Sequence, residues 1–296
     1  MDAMIFKKKS PLWIFLTPAF LFMAVYLYYP FVQNIINSFL DIRDLGAAAR
    51  GINEPWYYNY VYLFTKDEFM GTVMLNTLLM ILLTILFQVG IALGLALLVD
   101  NITKGAEFFR TAYFFPIVIS ATALGLLFNL IFQYNGGMVN QLLGFLGHTE
   151  LIDWKDESHF YFTMFFPVCW QYVGFYFVII VTGLNNISQD IYEAASIDGA
   201  EGFKRIRYIT LPLLHNVLCT CLTLAITGAL KVFDLPWTML PKGMPADKSF
   251  MTGTYMYEQT FSLGDVDYGS TIAILIVVLG VVLAQVANIV FKEKDY

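Results

Sequence analysis

Charge is scarce in this sequence. Asp, Glu, Lys and Arg supply 14% of its 296 residues, while 58% are hydrophobic and the mean hydropathy is +0.64. An average soluble chain carries about 25% charged residues, so this composition excludes an ordinary water-soluble domain. Cysteine is scarce too: Cys169, Cys219 and Cys221 all lie in apolar segments. That pattern excludes a disulfide framework and a thiolate metal site, and leaves small core residues. The three histidines, His148, His159 and His215, are too scattered for metal spacing. The sequence has no G-x-x-x-x-G-K phosphate loop, no zinc-protease motif and no nucleophile–base arrangement. No catalysis and no cofactor are therefore assigned to this chain. The formal charge of −6 speaks against a nucleic-acid surface.

What is present is a series of long apolar runs, at about 12–33, 72–99, 108–133, 159–184, 211–235 and 269–291. Each is long enough to cross a bilayer, and most allow some tilt. The fold class is an all-α integral membrane protein of six transmembrane helices, read as a single domain over 1–296. Lys7-Lys8-Lys9 ahead of the first run suggests a signal peptide. However, the run continues from Leu12 to about Val32, and no small-x-small cleavage site follows. It reads as an uncleaved first span.

An even number of spans puts both termini on one side, and the cations decide which. With the N-terminus inside, the cytosolic edges carry Lys7, Lys8, Lys9, Lys104, Arg110, Lys204, Arg205, Arg207, Lys292 and Lys294. The outer loops, longer in total, carry Arg43, Arg50, Lys66, Lys155, Lys242 and Lys248. Both termini are therefore expected in the cytoplasm. The outer loops are also acidic, which hints at an external partner. Gly90-x-x-x-Gly94 in span two offers a close helix approach. Pro116 is expected to kink span three near its start.

Between spans four and five lies a polar stretch, about 188–210, with a helical pattern. Ser188 suits an N-cap and Asp190 the first turn. Ile191, Tyr192, Ala194 and Ala195 form a small apolar face. Gly199 can end the helix in the left-handed region. A second helical piece, Phe203 to Ile209, leads into span five, where Pro212 fits the first turn. Within this stretch, Glu193-Ala194-Ala195 through Gly199 to Ile209-Thr210-Leu211-Pro212 matches E-A-A-x3-G-x9-I-x-L-P at all seven positions. A chance match in a chain this long is on the order of 10⁻⁶ at average residue frequencies.

That pattern resembles the EAA loop of bacterial ABC importer permeases. Further segments resemble the carbohydrate branch of that family: Asn59-Tyr60 with Leu75-Asn76-Thr77, Phe108-Phe109-Arg110 with Phe114-Phe115-Pro116, Lys231-Val232-Phe233-Asp234, and Tyr268-Gly269-Ser270-Thr271. The resemblance covers essentially the whole chain and points to permeases related to maltose, raffinose and glycerol-phosphate importers. The extra N-terminal spans and large outer loop of the maltose-importer subunit are absent. The resemblance implies the type I ABC importer permease fold in a bacterial cell membrane. It also implies a heterodimer with a second permease, two cytosolic ATPase subunits that hold ATP and Mg, and an extracytoplasmic solute-binding protein. The ATPase-coupling residues it implies are Glu193, Ala194, Ala195, Asp198 and Gly199.

The substrate path is read from polar and aromatic residues inside spans, where polarity is costly. Its candidates are Gln171, Tyr172 and Phe175 in span four, and Thr227, Lys231 and Asp234 in span five. Aromatic faces suit the C–H faces of a sugar, and amides suit its hydroxyls. Helix packing competes as a role for each aromatic, and an ion pair or headgroup contact for Lys231 and Asp234. Asn129 and Gln133 could face the same cavity. The expected function is the permease half of a binding-protein-dependent importer for a sugar, an oligosaccharide for preference. Two alternatives stand beside it: an ABC permease for another solute, such as a sugar phosphate or amino acid, and an ion-driven secondary transporter.

Overall fold

The computed structural model describes residues 10–100 and 105–290. Lys7, Lys8, Lys9, Lys104, Lys292 and Lys294, used above for orientation, lie outside them. The described residues are helical throughout, apart from loops and one isolated bridge between Leu40 and Ile52. The chain divides into two compact units where the sequence suggested one domain. One comprises the residues up to Lys66 with Met256–Leu275; the other comprises Asp67–Tyr255 and the residues from Ile276 onward.

The first unit contains α1 (Trp13–Asn37), a loop, α2 (Tyr58–Thr65) and the opening turns of α13 (Val266–Val290). Helix α1 is apolar along its length and uncovered by this chain: Phe15 is 83% exposed. In lipid such a surface needs no aqueous shielding. The loop after α1 is organised around one carboxylate. Buried Asp267 accepts from Asn59 Nδ2 at 3.0 Å and from Asn53 Nδ2 at 3.5 Å. Ser38 and Tyr60 share a hydroxyl bond of 2.8 Å close by.

The second unit is built on α3 (Met70–Val99) and α7 (Phe160–Asn185). Both are long apolar runs with strong starts. Asp67 Oδ1 accepts from the backbone N–H groups of Phe69 and Met70 at 2.8 and 3.1 Å, capping α3. Asp156 Oδ1 does the same for Ser158 and His159 ahead of α7. The two helices share a core in which Ala92 and Ala96 are fully buried against Phe177 and Ile180. The glycines of the G-x-x-x-G are not the contact. Gly90 and Gly94 face outward, and a Cβ on Gly94 would meet nothing within 4 Å. The alanines two residues on occupy the opposite side of the helix, which is the packed one. The close approach is at Gly174, where an added Cβ would lie 1.8 Å from the Tyr113 carbonyl of α4 (Ala106–Val118).

Span three is not one helix. Helix α4 ends at Val118, and α5 (Ala121–Ile131) leaves at 94° to it. Pro116 lies inside α4, and the break falls three residues later and well past the start of the span. There Ile119 and Ser120 are extended, with ψ of 134° and 133°. Span five is broken as well. Helix α10 (His215–Ala229) stops, Lys231 to Phe233 are non-helical, and α11 (Asp234–Met239) begins again. Gly125 of α5 and Thr238 of α11 pack so closely that a Cβ on the glycine would come within 2.7 Å of the threonine methyl. The segment 248–252 closes over the second break. Asn76 Nδ2 donates to the carbonyls of Lys248 and Phe250 at 2.7 and 2.9 Å, and Thr252 Oγ1 donates to the Leu230 carbonyl at 3.3 Å. Thr252 thus satisfies a carbonyl freed by the interruption, and Asn76 holds the segment that carries Thr252.

Candidate functional site

Two places carry the residues singled out by sequence. The first is α8 (Gln189–Ile197) and the chain after it. Ser188 Oγ accepts from the Asp190 N–H at 3.3 Å, so the helix starts at the expected cap. Its end is a complete Schellman turn: Ala200 N donates to Ala195 O at 2.8 Å and Gly199 N to Ser196 O at 3.1 Å, with Gly199 at φ +76°. The chain resumes as α9, residues 203–213, which includes a π-helical turn over Ile206–Thr210. The Arg205 guanidinium lies over the Tyr192 ring, 5.1 Å from its centroid, and ties α8 to α9.

Fixed at both ends, α8 presents Glu193, Ala194, Ile197 and Asp198 outward; Ile197 is 87% exposed. Ala195 is not part of that surface. It is 5% exposed and packs inside this chain, because neighbouring residues on a helix diverge by about 100°. The expected pair of presented alanines is therefore Ala194 alone. Sequence reasoning passed over Ile197, Phe203 and Tyr208, the last two 74% and 66% exposed. The available signal was large apolar residues inside a polar loop.

The second place is a cleft of about 230 Å³ between α3, α7 and the break in span five. Of the six proposed path residues, Gln171, Tyr172, Lys231 and Asp234 line it; Phe175 and Thr227 do not. Phe175 packs toward the core beside Tyr176, with ring centroids 5.2 Å apart. Thr227 turns its hydroxyl back onto its own helix, donating to Thr223 O at 2.8 Å. Asn129 lies outside the cleft, where it accepts from Lys155 Nζ at 2.6 Å and donates to Thr238 O at 3.1 Å. Burial lowers the Lys155 pKa from the usual lysine value, against a smaller opposing effect of Asp153.

Lys231 and Asp234 were expected three apart on one helix. The helix is interrupted between them, and among the described residues no ion pair joins them. Both are exposed, at the mouth of the cleft. Thr84 and Gln88 were missed. Each is 2% exposed, each lines the cleft, and they lie one helical turn apart on α3. A glutamine in the middle of an apolar run was the readable signal.

The fold defines a multi-pass membrane protein: among the described residues five helical stretches are long and apolar enough to cross a bilayer, the interrupted His215–Met239 counted as one, and the bent pair is a sixth candidate. Residues 104–292 match the family described as binding-protein-dependent transport system inner membrane component, and the chain belongs to it. It is thus an ABC transporter permease subunit rather than an enzyme. A probable ABC transporter permease of Bacillus subtilis, YurN, is 30% identical over 98% of each chain. The arabinooligosaccharide permease AraP of the same organism is 27% identical, covering 95% of this chain and 88% of AraP. The lactose permease LacF of Rhizobium radiobacter is 27% identical, covering 95% and 94%. The crystal structure of a bacterial ABC transporter that imports alginate shares the fold, with a TM-score of 0.83 at 22% identity over 97% of this chain and 96% of that one.

Proposed function

We propose that this chain is one half of the translocation path of an ATP-driven, binding-protein-dependent sugar importer, with an oligosaccharide as cargo. The observation that carries the reading is α8: a short helix capped by Ser188, closed by Gly199 and presenting Glu193, Ala194, Ile197 and Asp198. A helix held this stiffly transmits force instead of absorbing it. An arginine on an ATPase subunit could grip the Glu193 carboxylate, while Ile197 supplies an apolar contact. Spans four and five, which α8 joins, contribute Gln171, Lys231 and Asp234 to the cleft. Movement of α8 would therefore reach the path directly.

The sugar reading is supported by AraP and LacF, whose names give arabinooligosaccharides and lactose as their cargo. The solved alginate importer was captured with a pentasaccharide-bound periplasmic protein. A heterodimer with a second permease, two ATPase subunits and a solute-binding protein is the assembly this reading requires. Both termini then lie in the cytoplasm, on the α8 side. Substituting Glu193→Ala, or Gly199→Val at its positive φ, tests the coupling role. Each is expected to lower transport at least tenfold relative to ATP hydrolysis, or to abolish ATPase docking. Normal transport per ATP in both variants would remove the coupling role.

A further inference from the structure

Helix α9 has two sides of different character. Arg205, Ile206 and Ile209 are half-buried and Thr210 is buried, so one side packs on this chain. Phe203, Lys204, Arg207 and Tyr208 are exposed and share the other side. The Arg207 guanidinium stands 6.0 Å from the centroid of the Tyr208 ring. Among the described residues neither Lys204 nor Arg207 belongs to an ion pair. This pairing of two cations with two aromatic rings sits at the entrance to span five. Along the helix, Tyr208 and Lys204 are at most about 5 and 10 Å from Leu211, where the apolar run begins. The headgroup layer is about 5–8 Å deep on each side of a bilayer, and a long cationic side chain spans the difference. The sign of the charge separates α9 from α8. Helix α8 presents Glu193 and Asp198 outward, so the protein surface that grips it is basic. Such a surface would repel Lys204 and Arg207, whereas an anionic one attracts them.

We infer that the exposed side of α9 docks on anionic lipid headgroups, and that this contact sets the position of α8. Lys204 and Arg207 donate to lipid phosphate oxygens, while the rings of Phe203 and Tyr208 sit at headgroup level, where aromatic residues are favoured. Arg205 carries the effect onward, because its guanidinium lies over the Tyr192 ring of α8 at 5.1 Å. A lipid that holds α9 therefore also holds the helix offered to the ATPase. This inference rests on the coupling reading above and adds the membrane as a second partner of the same loop.

The test uses the complete importer in proteoliposomes of phosphatidylcholine alone, or of phosphatidylcholine with an equal amount of phosphatidylglycerol. Each cation near an anionic surface is worth about fivefold in lipid affinity. ATP hydrolysis by the wild-type importer is expected to be at least fivefold faster with phosphatidylglycerol, and the difference should shrink as salt is raised. The double variant Lys204→Gln with Arg207→Gln should lose this difference, and the charge-conserving Lys204→Arg with Arg207→Lys should keep it. A second readout needs no variant: the wild-type complex is treated with an amine-acylating reagent, and its peptides are identified by mass spectrometry. Relative to exposed Lys242, Lys204 should react at least threefold more slowly when phosphatidylglycerol is present. Slow acylation of Lys204 in both lipids assigns this side of α9 to the ATPase and overturns the inference. So does loss of the ATPase from the glutamine double variant. Equal hydrolysis and equal acylation in the two lipids overturn it too, as does a lipid effect that the glutamine variant retains. Glu193→Ala in the same liposomes separates the two readings: if it uncouples there, the coupling role stands although the lipid contact has failed.

Discussion

Single residues carry two consequences that can be measured. Lys231 stands at the mouth of the cleft without an ion-pair partner among the described residues, so its ammonium is free to meet cargo. Lys231→Ala should reduce uptake several-fold while leaving co-purification of the complex intact. Loss of assembly would instead make Lys231 a packing residue. Asp265 lies in the loop just before α13. Burial raises its pKa, the charge of Asp267 and more weakly that of Asp44 push the same way, and Arg43 opposes them. Asp267 is held by Asn59 and Asn53, and Arg43 is shared with Asp41 at 2.9 Å. An acid whose folded pKa is raised stabilises most below its unfolded value, about 3.9, and that contribution is lost as pH rises through the folded value. Asp265→Asn should therefore raise the melting temperature of the complex at pH 7, with the gain vanishing below about pH 4. Equal melting curves at both pH values would mean that the carboxylate is not strained by its neighbours.

At the scale of elements, the breaks matter more than the helices. The apolar runs near 159–184 and 269–291 became α7 and α13, with ends displaced by one to three residues. These were legible because an uninterrupted run of about 20 apolar residues has one outcome in lipid. The run at 108–133 was equally apolar, yet its chain turns by 94° at Ile119–Ser120. Hydropathy does not register such a turn. Gln171, fifty-two positions away, donates to the Ile119 carbonyl at that turn. Small residues were misread for a similar reason. A glycine pair four apart was visible in α3, while the glycines that set helix contacts include Gly174, opposite the Tyr113 carbonyl, and Gly125, against Thr238. Gly174→Ala should force α4 and α7 apart and cost about 1–3 kcal/mol or more, seen as lost expression or a fall in melting temperature. A variant with wild-type stability would show that α4 can shift without cost. The α8 turn, by contrast, was readable residue by residue from Ser188 to Gly199, because its hydrogen bonds close within twelve positions.

For the whole molecule, the outward face of α8, with Ile197 exposed in a polar loop, has no use in an isolated chain. Purified from native membranes in mild detergent, the protein should bring with it a second permease bearing an E-A-A loop and an ATPase. A homo-oligomer without an ATPase, under conditions that preserve a control importer, would favour an ion-driven transporter instead. Sequence alone determined that the chain crosses a membrane several times, and which loop carries the family pattern. Both properties are written in contiguous residues, through hydropathy and local capping. Tertiary structure decided which polar residues share the cleft. Thr84 and Gln88 on α3, Gln171 on α7 and Lys231 and Asp234 at a helix break meet only after distant segments pack. It also decided how Gln88 and Gln171 are held, because the Val168 and Ile119 carbonyls that accept from them come from chain positions that spacing along the sequence does not reveal.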